Sequence, residues 1–151
     1  MREILFRGKS VNDGRWIYGD LSNYGDYRAI TTTRGFSIID SCEVIPETVG
    51  QYTGLTDKNG KRVFEADILS LQCADEKLRP YPVYFGTYNV ESTYGDDFHI
   101  GLYTKFFGED ISLGFLADSN GSTDFEVIGN IFDNSLEELQ NGMENGRRDK
   151  Q

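Results

Sequence analysis

A two-residue alternation of apolar and polar positions runs through most of this chain, the period expected of half-buried β-strands. Between Glu3 and Lys9, Ile4 and Phe6 fall on one side, Leu5 and Arg7 on the other. Asn12-Asp13-Gly14 then gives a turn and Arg15 to Leu21 the returning strand, because Asp-Gly between two such runs favours a hairpin. After a turn-rich interval at Tyr24 to Tyr27, Arg28 to Thr33 and Phe36 to Ile39 form a second pair, broken at Arg34-Gly35. Ile45 is biased to extended backbone by Pro46. Gly50 to Leu55 and Lys61 to Phe64 are the arms of a central hairpin around Asp57-Lys58-Asn59-Gly60, and Asp67 to Cys73 continues as a half-buried strand.

Ala74 to Leu78 is charged and loop-like, and Pro80 and Pro82 mark an edge or the start of a strand from Val83 to Val90. Phe98 to Phe107 is a further strand, and Ile111 to Leu116 lies between turns at Gly108 to Asp110 and Asp118 to Thr123. Phe125 to Phe132 is the last strand. The one helix starts at Ser135, where Ser135 and Glu138 have capping-box spacing and Glu137 and Glu138 complement the helix dipole. It is expected to cover two turns, through Gln140, with a mobile tail from Asn141 onward.

Composition agrees with many short strands. The 151 residues suit one domain or two very small lobes, and 38% hydrophobic and 13% aromatic content supports a packed interior. Seventeen glycines beside nine tyrosines and ten phenylalanines favour pleated surfaces and tight turns over long helices.

The net charge of −10 is uneven: residues 1–40 carry six basic and five acidic side chains, whereas 81–140 holds only Lys105 against eleven acids. The later half would repel phosphate backbones, so its charge serves solubility, a basic partner surface or mimicry of nucleic acid. Cys42 and Cys73 match no zinc or redox spacing and read as reduced structural thiols. No apolar run reaches membrane-spanning length and the first residues lack a secretory pattern, so a cytosolic location is expected.

Several chemical sites fail on spacing. The turn from Asp57 begins like a calcium loop but places Lys61 where an oxygen ligand is needed. Asp118, Asn120, Ser122 and Asp124 alternate better, yet Thr123 replaces the loop glycine and Gly129 the final carboxylate. His99, the sole histidine, shares a strand face with Asp97, an incomplete metal set. No G-x-S-x-G, P-loop or dinucleotide motif is present. Glu65 and Asp67 would share a strand face, although nothing selects them over other acids. Trp16, the only tryptophan, reads as a packing residue.

Three separated blocks, the opening REILFRGK with WIYGDL, the central GQYTGLTDKNGKRVFEADIL and the late FEVIGNIFDN, together closely resemble the YopX protein family of bacteriophage and prophage proteins. The resemblance spans roughly residues 1–140 and implies a mainly β fold of short antiparallel strands, an SH3-like small barrel around the central hairpin and a short C-terminal helix. That gives a β domain over 1–140, divisible into a lobe at 1–45 and a barrel at 46–134, followed by the tail 141–151. It also implies a phage or prophage source and expression in a bacterial cytoplasm, and it carries no activity, catalytic residue, metal or cofactor. Where the family pattern has E-G-D, this chain has Glu65-Ala66-Asp67, and the alanine argues against a strict positive-φ requirement.

The leading functional expectation is a non-enzymatic binding module that engages a host or phage protein or another copy of itself, with Tyr52, Thr53, Asp57 and Asp67 as the interaction surface. The alternative is nucleic-acid binding by the first half, which would require Arg2, Arg7, Lys9, Arg15, Arg28 and Arg34 to converge. A third reading is a metal-dependent enzyme using Asp97 and His99. None of these involves a membrane.

Overall fold

The computed structural model describes residues 3–34, 37–72, 75–106, 108–116 and 123–148. The chain is mainly β, its strands antiparallel, with one C-terminal helix. It divides into two compact units, Met1–Gly54 and Leu55–Gln151.

The first unit contains β1 (Phe6–Lys9), β2 (Trp16–Tyr24), β3 (Tyr27–Arg34), β4 (Ser37–Val44), a single 3-10 turn at Pro46–Thr48 and most of β5 (Gly50–Thr56). These strands lie in the order β4-β3-β2-β1-β5. The turn-rich interval proves to be a tight hairpin: Tyr24 pairs with Tyr27 around Gly25-Asp26, with Gly25 at φ 63°. The sheet then curls back on itself. Ser10 bridges Val44, and hydrogen bonds from Val11 N to Glu43 O (3.1 Å) and from Ile45 N to Lys9 O (2.8 Å) join the end of β4 to the chain leaving β1. This curl precedes the central hairpin around which the SH3-like barrel was expected. Ile17, Ile30 and Val44 form the core, flanked by Phe6, Leu21, Cys42 and Val49.

Two glycines make the curl possible. A Cβ on Gly8 would sit 3.0 Å from Val44, and one on Gly19 would sit 2.1 Å from the Thr31 carbonyl oxygen. The division between the units falls inside β5, whose start pairs with β1 at Phe6↔Gln51 and Arg7↔Gly50.

In the second unit, β5 ends and turns into β6 (Arg62–Phe64); then come β7 (Asp67–Gln72), β8 (Leu78–Pro82), β9 (Tyr84–Ser92), β10 (Gly95–Phe106), β11 (Glu109–Ser112), a 3-10 turn at Leu113–Leu116, β12 (Glu126–Asn130) and α1 (Leu136–Arg148). Two three-stranded sheets result, β12-β7-β8 and β11-β10-β9. Both prolines expected to mark an edge lie in β8, the edge strand opposite Ile68 and Ser70, where a missing N–H costs no ladder bond. Thr104 of β10 donates its hydroxyl to Pro82 O at 2.8 Å, linking the sheets. Val63, Leu69, Val83, Leu113, Phe125 and Val127 form the core.

The helix exceeds the expected two turns. Glu138 N donates to Ser135 Oγ at 3.1 Å, the N-terminal half of the expected capping box. The helix then runs through Gly142 and Gly146 to Arg148, over what the sequence suggested was a tail. Packing against β8 and a hydrogen bond from Gln140 Nε2 to Glu144 Oε1 (2.9 Å) support the extra turns. Residues 149–151 lie outside the described chain.

Candidate functional site

The central turn is organised by one carboxylate. Asp57 Oδ1 accepts hydrogen bonds from Asn59 N and Lys61 N, both at 2.9 Å, while Oδ2 accepts from Val127 N at 3.0 Å. Gly60, at φ 80°, completes the turn and donates its N–H to Asp57 O. Burial pushes the Asp57 carboxyl up, but the Val127, Lys61 and Asn59 amides and the Lys61 charge outweigh it and hold the group below its ordinary value. With its oxygens aimed at backbone amides, Asp57 closes the turn.

Ten residues on, Asp67 Oδ2 accepts from Phe64 N at 2.8 Å, and Asp67 is only 1% exposed. Between Phe64 and Asp67, Ala66 stands at φ 67°, in the left-handed region. The glycine of the family pattern therefore answers a real backbone demand that the alanine here meets under strain. Ala66 is held on both sides: its N–H donates to Val83 O (2.9 Å) and its carbonyl accepts from Ile131 N (3.0 Å). Glu65 sits in this turn and so shares no strand face with Asp67.

These bonds stitch the central sequence block to the late one. Besides Val127 to Asp57 and Ile131 to Ala66, Lys58 N donates to Phe125 O (3.0 Å), Thr123 Oγ1 to Thr56 O, and Lys58 Nζ lies 3.5 Å from Glu126 Oε2. Gly129 belongs to the same fabric: a Cβ there would meet Asn134 Oδ1 at 2.3 Å, and that oxygen accepts from Asn130 N.

Of the four residues expected to form an interaction surface, Tyr52 and Thr53 lie on β5 in the first unit, Asp57 and Asp67 in the second, and all four are buried. None presents its side chain as an exposed face. The motif is dense because the backbone there needs satisfying.

Among the described residues, one exposed apolar row lies on the β9–β10 hairpin. The register Leu102↔Phe85, Ile100↔Thr87 and Phe98↔Asn89 puts Phe85, Phe98, Ile100 and Leu102 on one face. Leu102 packs on the core, but Phe85, Phe98 and Ile100 are 62%, 76% and 78% exposed. Tyr94 at the hairpin tip is fully exposed. On the opposite face Gly86 faces Gly101, and aromatic rings close over the gap: Tyr84–Tyr103 at 5.4 Å, Tyr103–Tyr88 at 5.2 Å and Tyr88–His99 at 5.5 Å. This ladder stiffens a hairpin that carries two glycines in register. Asp96 and Asp97 are exposed beside the tip.

His99 is thus a stacking partner of Tyr88 on an exposed strand, with Asp97 two residues away. Among the described residues no three His, Cys, Asp or Glu side chains come together in a metal-holding group. Asp118, Asn120 and Ser122 lie outside the described residues, as do Cys73 and Arg2. Cys42 is a free thiol whose Sγ lies 3.3 Å from Ser10 Oγ.

The basic residues of the first half are largely engaged locally. Arg7 is buried with its guanidinium carbon 4.6 Å from the Trp16 ring centre, and Lys9 Nζ stands 5.5 Å from the same ring. Trp16 is thereby a packing residue that serves cations. Arg15 pairs with Asp13 at 3.0 Å, and Arg28 donates to the Gly25 and Tyr27 carbonyls.

The exposed hairpin face had little sequence signal. Phe98, Ile100 and Leu102 alternate with polar residues as a core strand would. β10 has twelve residues against four in β11, so its outer half runs beyond the strand that flanks it on that side.

The YopX protein family profile matches residues 5–137. No curated protein matches the chain.

Proposed function

The chain belongs to the YopX family, and from that premise we propose that it is a non-enzymatic binding module of phage or prophage origin, acting in a bacterial cytoplasm by docking its β9–β10 hairpin onto a host or phage protein. The observation that carries this reading is the uncovered row Phe85, Ile100 and Phe98 on a hairpin stiffened from behind by its aromatic ladder. Rigid aromatic and aliphatic anchors lose little entropy on binding, which suits them to the centre of an interface.

Charge selects the partner's chemistry. Asp96 and Asp97 border the apolar row, and residues 81–140 carry Lys105 against eleven acids. A second copy presenting the same face would bring like charges together. The favoured occupant is an apolar segment of another protein flanked by Lys or Arg.

The test is capture from infected or lysogenic cells with the wild type and with a Phe98→Ser/Ile100→Ser variant in parallel, followed by binding measurements on the purified candidate. The reading expects a partner with a basic, apolar segment whose affinity falls at least about tenfold in the variant. A partner held equally by both forms would overturn it. So would concentration-dependent self-association in ultracentrifugation that the variant abolishes, which would assign the face to a second copy.

A further inference from the structure

The sheet β11-β10-β9 curls so strongly that its two outer strands meet: Asn89 N of β9 donates to Asp110 Oδ2 of β11 at 3.3 Å. The fold encloses a cleft of about 320 Å³ lined by Asn89 and Val90 of β9, Lys105 of β10, and Glu109, Asp110 and Ile111 of β11. Phe115 stands at its margin with its ring exposed. The volume is at the small end of ligand sites.

Three features define what would fit. Asn89 Oδ1 is buried and has no hydrogen-bond partner among the described residues, an acceptor that a donor on a ligand would satisfy. Asp110 is already committed, with Oδ1 2.6 Å from Lys105 Nζ and Oδ2 receiving Asn89 N. The hydrogen bond from Lys105 holds the Asp110 carboxyl below its ordinary value, which keeps it ionised. Lys105, Glu109 and Asp110 together leave one uncompensated negative charge, and Ile111, Val90 and Phe115 supply an apolar wall.

We propose that this cleft binds a monocation, a guanidinium or ammonium group on a short apolar stem, with its N–H donors at Asn89 Oδ1 and Glu109 and its stem against Ile111 and Phe115. The same chemistry is offered by a free alkylguanidine or alkylamine and by an arginine or lysine side chain. Because Asn89 lies opposite Phe98, the cleft is tested with Phe98 and Ile100 left unaltered, so that its failure is distinguishable from that of the hairpin reading.

The experiment is titration of the 15N-labelled full chain, followed by amide shifts, with n-butylguanidinium, n-butylammonium, N-acetylarginine amide and neutral n-butylurea. Saturable shifts are expected at Asn89, Asp110 and Ile111 with at least one of the cations, and not with n-butylurea. Response to N-acetylarginine amide but not to the free alkyl cations assigns the cleft to a protein side chain, and the converse assigns it to a small metabolite. Asn89→Leu should weaken the response about tenfold or more. Glu109→Gln, at an exposed rim position that leaves the fold intact, should do likewise. No saturable shift with any cation up to about 10 mM, tenfold above a Kd of about 1 mM, would overturn the proposal. So would equal binding of n-butylurea or an unchanged response in Glu109→Gln.

Discussion

At the scale of single residues, Ala66 is the clearest point of strain. Its φ of 67° is a conformation in which an L-residue crowds its own Cβ against the backbone. Both its peptide groups are pinned, to Val83 and to Ile131, so the backbone cannot relax. Ala66→Gly should therefore raise stability by about 1 kcal/mol, read as a higher urea midpoint at unchanged slope. This residue also marks a limit of sequence reading. An alanine between Glu65 and Asp67 argues for ordinary backbone, whereas tertiary hydrogen bonds at either end impose the left-handed turn. Asp57 shows the opposite case: Asn59-Gly60 announced the turn, but the third bond of its carboxylate, from Val127, has no local signal.

At the scale of elements, hairpins with Gly in a two- or three-residue turn were legible, because local chemistry dictates them: Gly25, at φ 63°, and Gly60, at φ 80°, fall where the turns were read. Strand lengths were less so. β2 and β4 run beyond their alternating cores because pairing with β3 carries them. The helix outlasts its expected end at Gln140 since β8 gives it a surface to pack on, a contact that helix propensity does not register. The curl of the first sheet depends on Gly19, whose missing side chain lets Thr31 O approach. A Cβ at 2.1 Å from that oxygen would force strands β2 and β3 apart, so Gly19→Ala should cost about 2 kcal/mol or more. Loss of slow-exchanging amides in β2 and β3, with those of the second unit retained, is the expected signature in hydrogen exchange.

At the scale of the molecule, acid should act through a few defined carboxylates as well as through the net charge of −10. Asp57 has its folded pKa below the unfolded value. Its contribution is then complete above a pH of about 4 and is lost as pH falls through the lower folded value. Asp57→Asn should cost about 2 kcal/mol at pH 7, since it removes charge-assisted bonds and, with one oxygen left for three amides, sets Val127 N against a donor NH2 group. Urea unfolding at pH 7 and pH 3 checks this: the gap between wild type and variant should narrow at the lower pH. Candidate sites were the least legible feature at this scale. The densest motif, holding Tyr52, Thr53, Asp57 and Asp67, turned inward, and the exposed apolar row alternates in sequence just as a buried strand would.

On the ribosome, Asp57 emerges seventy residues ahead of Val127, the amide that completes its shell. Until that strand is synthesised, the second unit can close its central hairpin but cannot insert β12 beside β7. Its folding is therefore an event of late synthesis or release, limited by a long loop closure. Truncation anywhere before Phe125 should give a chain that chaperones and proteases treat as unfinished.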